Sequence, residues 1–313
     1  MTGDLKLRED GTFKIVQFTD LHWQNGEKAD QSTRECMERV LQAEKPDLVA
    51  LTGDLIFGAK CKDPRQSLRE AVRPLEEAGI PWAAVFGNHD DEGSLKRPKL
   101  MDALRDGHPH CLSEPGPDDV DGVGNFVRTV ADSEGRAAFA LYFLDSGGYS
   151  PVPSIPGYDW IRGSQIDWYR SEARRLAMAN GGAPVPSLLF FHIPIPEYEQ
   201  AWRTVTCYGH RHERVSSPNL NSGLFSELLE AGGVLGTFCG HDHVNDYWGE
   251  LAGIRLCYGR ATGYQTYGRK RYPKGARVIV LKRGERGFAT WIRLANGIVL
   301  DRPRAHRPFR WFS

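Results

Sequence analysis

Six times along this chain a short apolar run breaks off into residues that can hold a metal or move a proton. Phe13 to Phe18 ends in Thr19-Asp20-Leu21-His22, Leu48 to Thr52 in Gly53-Asp54, and Trp82 to Phe86 in Gly87-Asn88-His89-Asp90. Ala137 to Leu144 ends in Asp145-Ser146, Leu188 to Phe191 in His192-Ile193-Pro194, and Val234 to Cys239 in Gly240-His241-Asp242-His243. The runs are apolar on both faces, as interior strands must be. Helical patterns fall between them. Arg34 to Ala43 puts Met37, Val40 and Leu41 on one stripe and is closed by Pro46; Leu68 to Ala78 stops at Gly79; Gln165 to Ala179 stops at Asn180-Gly181-Gly182. The alternation predicts an α/β chain with a βαβ arrangement in its first third. Ile254 to Cys257, Arg277 to Lys282 and Phe288 to Leu294 read as successive strands and predict a second, more antiparallel sheet region. Asp91 to Asp121 and Glu197 to Ser222 read as long loops, the class that often forms lids or binding loops. Gly122-Val123-Gly124 lacks the third glycine of a dinucleotide fingerprint and reads as a turn.

The strand ends together supply Asp20, His22, Asp54, Asn88, His192, His241 and His243: two carboxylates, four imidazoles and one amide. Mixed oxygen and nitrogen donors suit Mn, Fe, Zn, Co or Ni. In open α/β sheets ligands bind beyond the carboxyl ends of strands, so one fold can bring all of these to one face. Seven donors exceed what one catalytic metal takes, usually three plus water. They suffice for two divalent or trivalent ions if one carboxylate bridges, and ions about 3.5–4 Å apart can clamp both oxygens of a phosphoryl transfer.

The set D-L-H at 20–22, G-D at 53–54, G-N-H-D at 87–90, His192 and G-H-D-H at 240–243 resembles the calcineurin-like metallophosphoesterase superfamily. The stretch Tyr258-Gly259-Arg260-Ala261-Thr262-Gly263-Tyr264 further looks like the small branch related to purple acid phosphatases. The resemblance implies a two-sheet β-sandwich flanked by α-helices, an α/β/β/α architecture. It implies one metal on Asp20, His22, Asp54 and His243, and the other on Asp54, Asn88, His192 and His241, with Asp54 bridging and a hydroxide between the metals attacking phosphorus. It implies that His89 faces the substrate, and that Asp90 holds the His89 ring and favours its protonated form. Purple acid phosphatases have Gly where this chain has His22, and a Tyr three residues after the bridging Asp where this chain has Phe57, so no ferric–tyrosinate colour is expected. The activity implied is phosphoric-ester hydrolysis, monoesters first. Phosphodiesters, cyclic nucleotide or phospholipid-derived, come second, and a non-catalytic binding scaffold or a nuclease comes behind both.

Composition narrows the partners. Forty basic residues balance forty acidic ones, which disfavours nucleic acid bound by bulk charge. The N-terminus, MTGDLKLREDGTFKIVQF, lacks the apolar core of a signal peptide, and no apolar run approaches the ~20 residues that span a bilayer. Cys36, Cys61, Cys111, Cys207, Cys239 and Cys257 are scattered without a C-x-x-C pair, so reduced thiols and a cytoplasmic location are expected. The 313 residues read as a single domain, 1–313, with a basic–aromatic tail at about 301–313. Asp242 reads either as an acceptor orienting a ligand histidine or as a solvated turn residue. Arg260 reads as a phosphate clamp or a structural ion pair, and His108, His110, His210 and His212 as surface histidines.

Overall fold

Ile15 and Val16 are neighbours on one strand and both fully buried, yet they belong to different cores. Successive side chains on a strand point to opposite faces, so each central strand here needs cover on both sides. The computed structural model describes residues 5–308. In chain order its elements are β1 (Thr12–Phe18), α1 (Lys28–Glu44), β2 (Leu48–Thr52), α2 (Pro64–Glu77), β3 (Trp82–Val85), α3 (Arg97–Arg105), β4 (Phe126–Ala131) and β5 (Ala137–Phe143). There follow α4 (Gly163–Ala179), β6 (Ser187–Phe190), α5 (Glu197–Thr204), β7 (Cys207–Tyr208), α6 (Leu224–Ala231), β8 (Val234–Cys239), β9 (Trp248–Leu251) and β10 (Ile254–Tyr258). The last are β11 (Gly275–Lys282), β12 (Phe288–Leu294), β13 (Val299–Leu300) and β14 (Ala305–His306).

One sheet has the order β13-β12-β11-β1-β2-β3 and the other β14-β7-β9-β10-β8-β6-β5-β4. Strands β1, β2 and β3 are mutually parallel, as are β5, β6, β8 and β10; antiparallel strands complete each sheet. Between the sheets lie Phe13, Ile15, Leu48, Val85 and Ile279 from one side and a ladder of stacked phenylalanines from the other. In that ladder Phe143, Phe190 and Phe238 have ring centroids 5.0 and 5.3 Å apart. Helices α1 to α3 cover the outer face of the first sheet and α4 to α6 that of the second. The architecture is the expected two-sheet α/β sandwich. Each fully buried Leu, Ile or Phe in these layers contributes roughly 1.5–3 kcal/mol relative to exposure.

Two buried polar side chains tie the sheets together beside the ligand-bearing edge. Gln17 on β1 donates to the Cys239 carbonyl on β8 at 2.9 Å. Arg277 on β11 donates to the carbonyls of Tyr258 and Asp246, both at 2.5 Å. The Gln17 bond fixes the end of β1 against the end of β8, where Asp20 and His241 follow.

Several elements differ from the sequence reading. Helix α1 begins six residues before Arg34, capped by Glu27. The stretch 91–121 is not all loop: α3 lies inside it, burying Leu100, Met101, Ala103 and Leu104. Likewise α5 and β7 occupy the start of 197–222. The last-third strands form no separate region, because β10 joins the second sheet while β11 and β12 extend the first. From there the chain crosses between sheets, pairing β13 with β12 and then β14 with β7. His306 stacks on Trp202 at 3.9 Å. Phe309, Arg310, Trp311 and Phe312 of the tail lie outside the described residues. Cys36, Cys111, Cys207, Cys239 and Cys257 are free and buried, and Cys61 is free and half-buried.

Candidate metal centre

The turns after β1, β2, β3, β6 and β8 all leave parallel strands at their carboxyl ends, and they converge where the two sheets meet. The chain bends sharply to do this. Asp20, His22, Asp54 and His241 have φ of 54°, 49°, 51° and 77°, a region that residues with a Cβ rarely adopt. Glycine lets the turns approach: a Cβ on Gly87 would lie 2.2 Å from Asp54 Oδ1, and one on Gly240 would lie 1.9 Å from Thr19 Oγ1.

Asp20, His22, Asp54 and His243 offer donor atoms that all lie within 4.8 Å of one another, and so do Asp54, His192 and His241. Asp54 belongs to both groups. Its Oδ2 is 3.2 Å from His22 Nε2 and 3.2 Å from His192 Nε2. Asn88 Oδ1 is 3.2 Å from His192 Nε2 and so adds an amide oxygen to the second group. His241 Nδ1 is also 3.2 Å from that nitrogen, and His243 Nε2 is 3.5 Å from Asp20 Oδ1. All seven residues are buried. Yet Asp54 Oδ2, His22 Nε2, His241 Nε2 and His243 Nδ1 make no well-formed hydrogen bond. Buried polar atoms left unpaired are costly and rare. A converging set of them, with carboxylate, imidazole and amide chemistry, fits bound cations.

Other atoms of His192, Asp54 and Asp20 are held by the protein. His192 Nδ1 lies 2.8 Å from the Thr52 carbonyl, which leaves Nε2 for the centre. Asp54 Oδ1 accepts the His89 backbone N–H at 2.8 Å, and the Asp20 carboxylate accepts that of His241 at 3.1 Å. Burial alone would raise the Asp54 carboxyl, but His192 and His22 hold it well below its usual range. Burial would likewise raise Asp20, and the bond and charge of His243 bring it down to about 2. Burial pushes His241 down to about 3, helped by His192. For His192, burial is overridden by the Asp54 charge and the value rises to about 9.

Asp90 does not hold the His89 ring. Its buried carboxylate turns back to accept the backbone N–H groups of Gly87 at 2.7 Å, Ile56 at 2.9 Å and Asp54 at 3.0 Å, locking two ligand turns together. The carboxylate beside His89 is Glu92, whose Oε2 is 2.9 Å from His89 Nδ1. Asp242 is neither solvated nor bonded to a ligand ring: it is buried and accepts the Tyr258 hydroxyl at 2.5 Å. Arg260 is a structural ion pair, engaged with buried Asp246 and with the Pro273 carbonyl at 2.8 Å. His210 and His212 pack edge-on to Tyr272. It is Glu213 from the same loop that approaches the centre, accepting the hydroxyl of Tyr267 at 2.6 Å; the Tyr267 ring lies 4.2 Å from that of His243.

Sequence reasoning missed the aromatic rim. Tyr158 packs edge-on to His241 at 4.3 Å and stacks with the exposed Tyr149. Phe57 packs against the rings of His22 and His89, at 5.6 and 5.0 Å. No spacing rule marks Tyr149, Tyr158, Glu92 or Glu213, because each comes from an irregular segment.

A profile of the family described as calcineurin-like phosphoesterase matches residues 13–245. The chain belongs to that family. Among curated relatives it is 38% identical over 316 residues to Probable inactive purple acid phosphatase 29 of Arabidopsis thaliana, across 92% of this chain and 81% of that protein. It is 34% identical to Probable inactive purple acid phosphatase 14 of the same plant, across 92% and 79%. It is also 38% identical to phosphatase DCR2 of Saccharomyces cerevisiae, across 82% of this chain and 50% of that one. Among solved structures, a dimetal phosphatase from Danio rerio superposes with a TM-score of 0.61 at 14% identity, covering 89% of this chain and 98% of that chain. GAP50, the anchor in the inner membrane complex of Plasmodium, superposes with 0.57 at 12% identity, covering 95% and 88%. At those identities the likeness is one of fold. Among the described residues, no helix of this phosphoesterase-family chain is long and apolar enough to cross a membrane.

Proposed function

We propose that this chain is a two-metal phosphoric-ester hydrolase that acts first on monoesters and second on diesters. The observation that carries the reading is Asp54, a fully buried carboxylate with an unpaired oxygen, shared by two groups of donors. Asp20, His22, Asp54 and His243 would hold one ion, and Asp54, Asn88, His192 and His241 the other. The mixed donor set suits Mn, Fe, Zn, Co or Ni. Cations bound there would offset the negative charge of a phosphate ester and lower the pKa of water towards neutrality.

The chain's own residues do the rest. Gly87 and Gly240 let the carboxylates sit close, and Asp90 fixes the turns that carry them. His89 stands at the mouth, its side chain 26% exposed and its Nδ1 engaged by Glu92. Its Nε2 then faces the leaving oxygen, and in the doubly protonated ring, whose charge Glu92 would balance, the Nε2 hydrogen would be the proton passed to it. The names of the plant and yeast relatives support the monoester preference. The word "inactive" in the plant names favours a second reading, a scaffold kept for protein contacts. Neutral net charge leaves a nuclease behind both.

The test is metal analysis of the chelator-stripped chain reloaded with Mn, together with turnover of para-nitrophenyl phosphate against its bis ester. We expect two ions per chain, faster turnover of the monoester, and loss of both metal and turnover in Asp54→Asn. Fewer than two ions, with no turnover that Asp54→Asn abolishes, would select the scaffold.

A further inference from the structure

Glu92 sits at the centre of a hydrogen-bonded chain that reaches both the proton-transfer histidine and a metal-donor amide. Its Oε2 is 2.9 Å from His89 Nδ1, and its Oε1 accepts the Tyr149 hydroxyl at 3.1 Å. The Tyr149 oxygen in turn accepts Asn88 Nδ2 at 3.2 Å. Asn88 Oδ1, the other end of the same amide, faces His192 at 3.2 Å.

The direction of every bond in this chain follows from one fact. An ionised carboxylate only accepts. Against Glu92, His89 Nδ1 must therefore carry a hydrogen. The Tyr149 hydroxyl spends its single proton on Glu92 and has only lone pairs left for Asn88. That selects the NH2 end of the Asn88 amide and turns its oxygen towards the second donor group. Asp90 cannot play this part, since it is occupied by three backbone N–H groups. Nor can Phe57, which has no polar atom.

Building on the two-metal reading above, we propose that Glu92 is a positioning residue. It fixes His89 with Nδ1–H turned away from the ester and, through Tyr149, fixes Asn88 with its oxygen turned towards the second ion. Tyr149 is 53% exposed and stacks on Tyr158, so this control sits at the entrance, where a substrate arrives.

The test uses Tyr149→Phe, which keeps the ring and loses the hydroxyl, and Glu92→Gln, which keeps the shape and adds a donor. Calorimetric titration of Mn into the stripped Tyr149→Phe chain should show the second ion weakened about 10-fold or more, with the first unchanged; loss of a group that orients a metal ligand typically costs 10–100-fold. In Glu92→Gln the 15N shifts of the His89 ring should change, and kcat should fall about 10-fold or more with KM within about twofold, a general acid contributing 10²–10⁴. Two ions bound by Tyr149→Phe as in the unaltered chain, together with an unaltered His89 15N pattern in Glu92→Gln, would overturn the proposal. Should the unaltered chain turn over no ester at all, the hydrolase reading fails, while the ion titration and the 15N pattern still decide the role of Glu92.

Discussion

Replacing Gly87 by alanine adds one methyl group at a position whose φ is not in the left-handed region, so the backbone itself accepts the change. The new Cβ, however, would stand 2.2 Å from Asp54 Oδ1 and 2.5 Å from the Asp54 nitrogen. That is about 0.8 Å inside the 3.0 Å below which such contacts essentially never occur. The obstacle is a carboxylate held in place: Asp54 Oδ1 accepts the His89 N–H at 2.8 Å, and the Gly87 N–H is itself bonded to Asp90 at 2.7 Å. Relief requires either losing the bond to Asp54, at about 1.5–3 kcal/mol for a charged acceptor, or overpacking, at about 1–3 kcal/mol. Where both occur the cost is roughly 2.5–6 kcal/mol. At about 2 °C per kcal/mol for a large domain, the melting temperature should then fall by roughly 5–12 °C. Because Asp54 serves both donor groups, both ions should weaken together rather than one at a time. Differential scanning calorimetry of the stripped chain and metal titration of the same preparation give the two numbers. An alanine variant that melts with the parent and still takes up two ions at unchanged affinity would refute the reasoning.

Other expectations are independent of that one. Arg97→Met removes a buried guanidinium that engages Asp145 and the carbonyls of Gly87 at 2.9 Å and Gly147 at 2.8 Å. Stranding the buried Asp145 should cost about 3–5 kcal/mol in urea unfolding, and a loss under 1 kcal/mol would show that the pair contributes nothing net. Lys274 is pushed down to about 8, chiefly by burial. The unfolded chain therefore binds more protons between about pH 8 and 10.4, and stability rises with pH across that window. Lys274→Met should accordingly be the more stable chain at pH 7, by about 3 kcal/mol at most, and the gap should close towards pH 10; a gap independent of pH would remove Lys274 as its source. Phe57 stands beside His22 and His89 without a phenol oxygen. Ferric loading should produce no tyrosinate band in the visible spectrum, and an intense one would mean a different ligand set.

The seven donor residues were legible because two independent signals coincide at each: an apolar run marks a strand, and its last residues carry metal-binding chemistry. What did not carry over from the resemblance was the pairing of Asp90 with the His89 ring. Asp90 follows His89 in sequence, but in a tight turn neighbouring side chains diverge, and the one that returns to the imidazole is three residues on, at Glu92. Helix α3 was hidden because Lys99, Asp102 and Arg105 are interleaved with its buried residues and a charge-rich stretch precedes it. The strands β13 and β14 are two residues long, too short for any period to show. The assignment of β11 to the first sheet depends on pairing Thr12 with Lys282, a partnership no local pattern encodes.

The left-handed backbone at Asp20, His22, Asp54 and His241 has an energetic consequence. A residue with a Cβ is disfavoured in that conformation by roughly 1–2 kcal/mol, and glycine is not. Glycine at any of these four positions would ease its turn by about that amount, roughly 1–2 kcal/mol. The side chains that these turns present are therefore held there against the backbone's own preference.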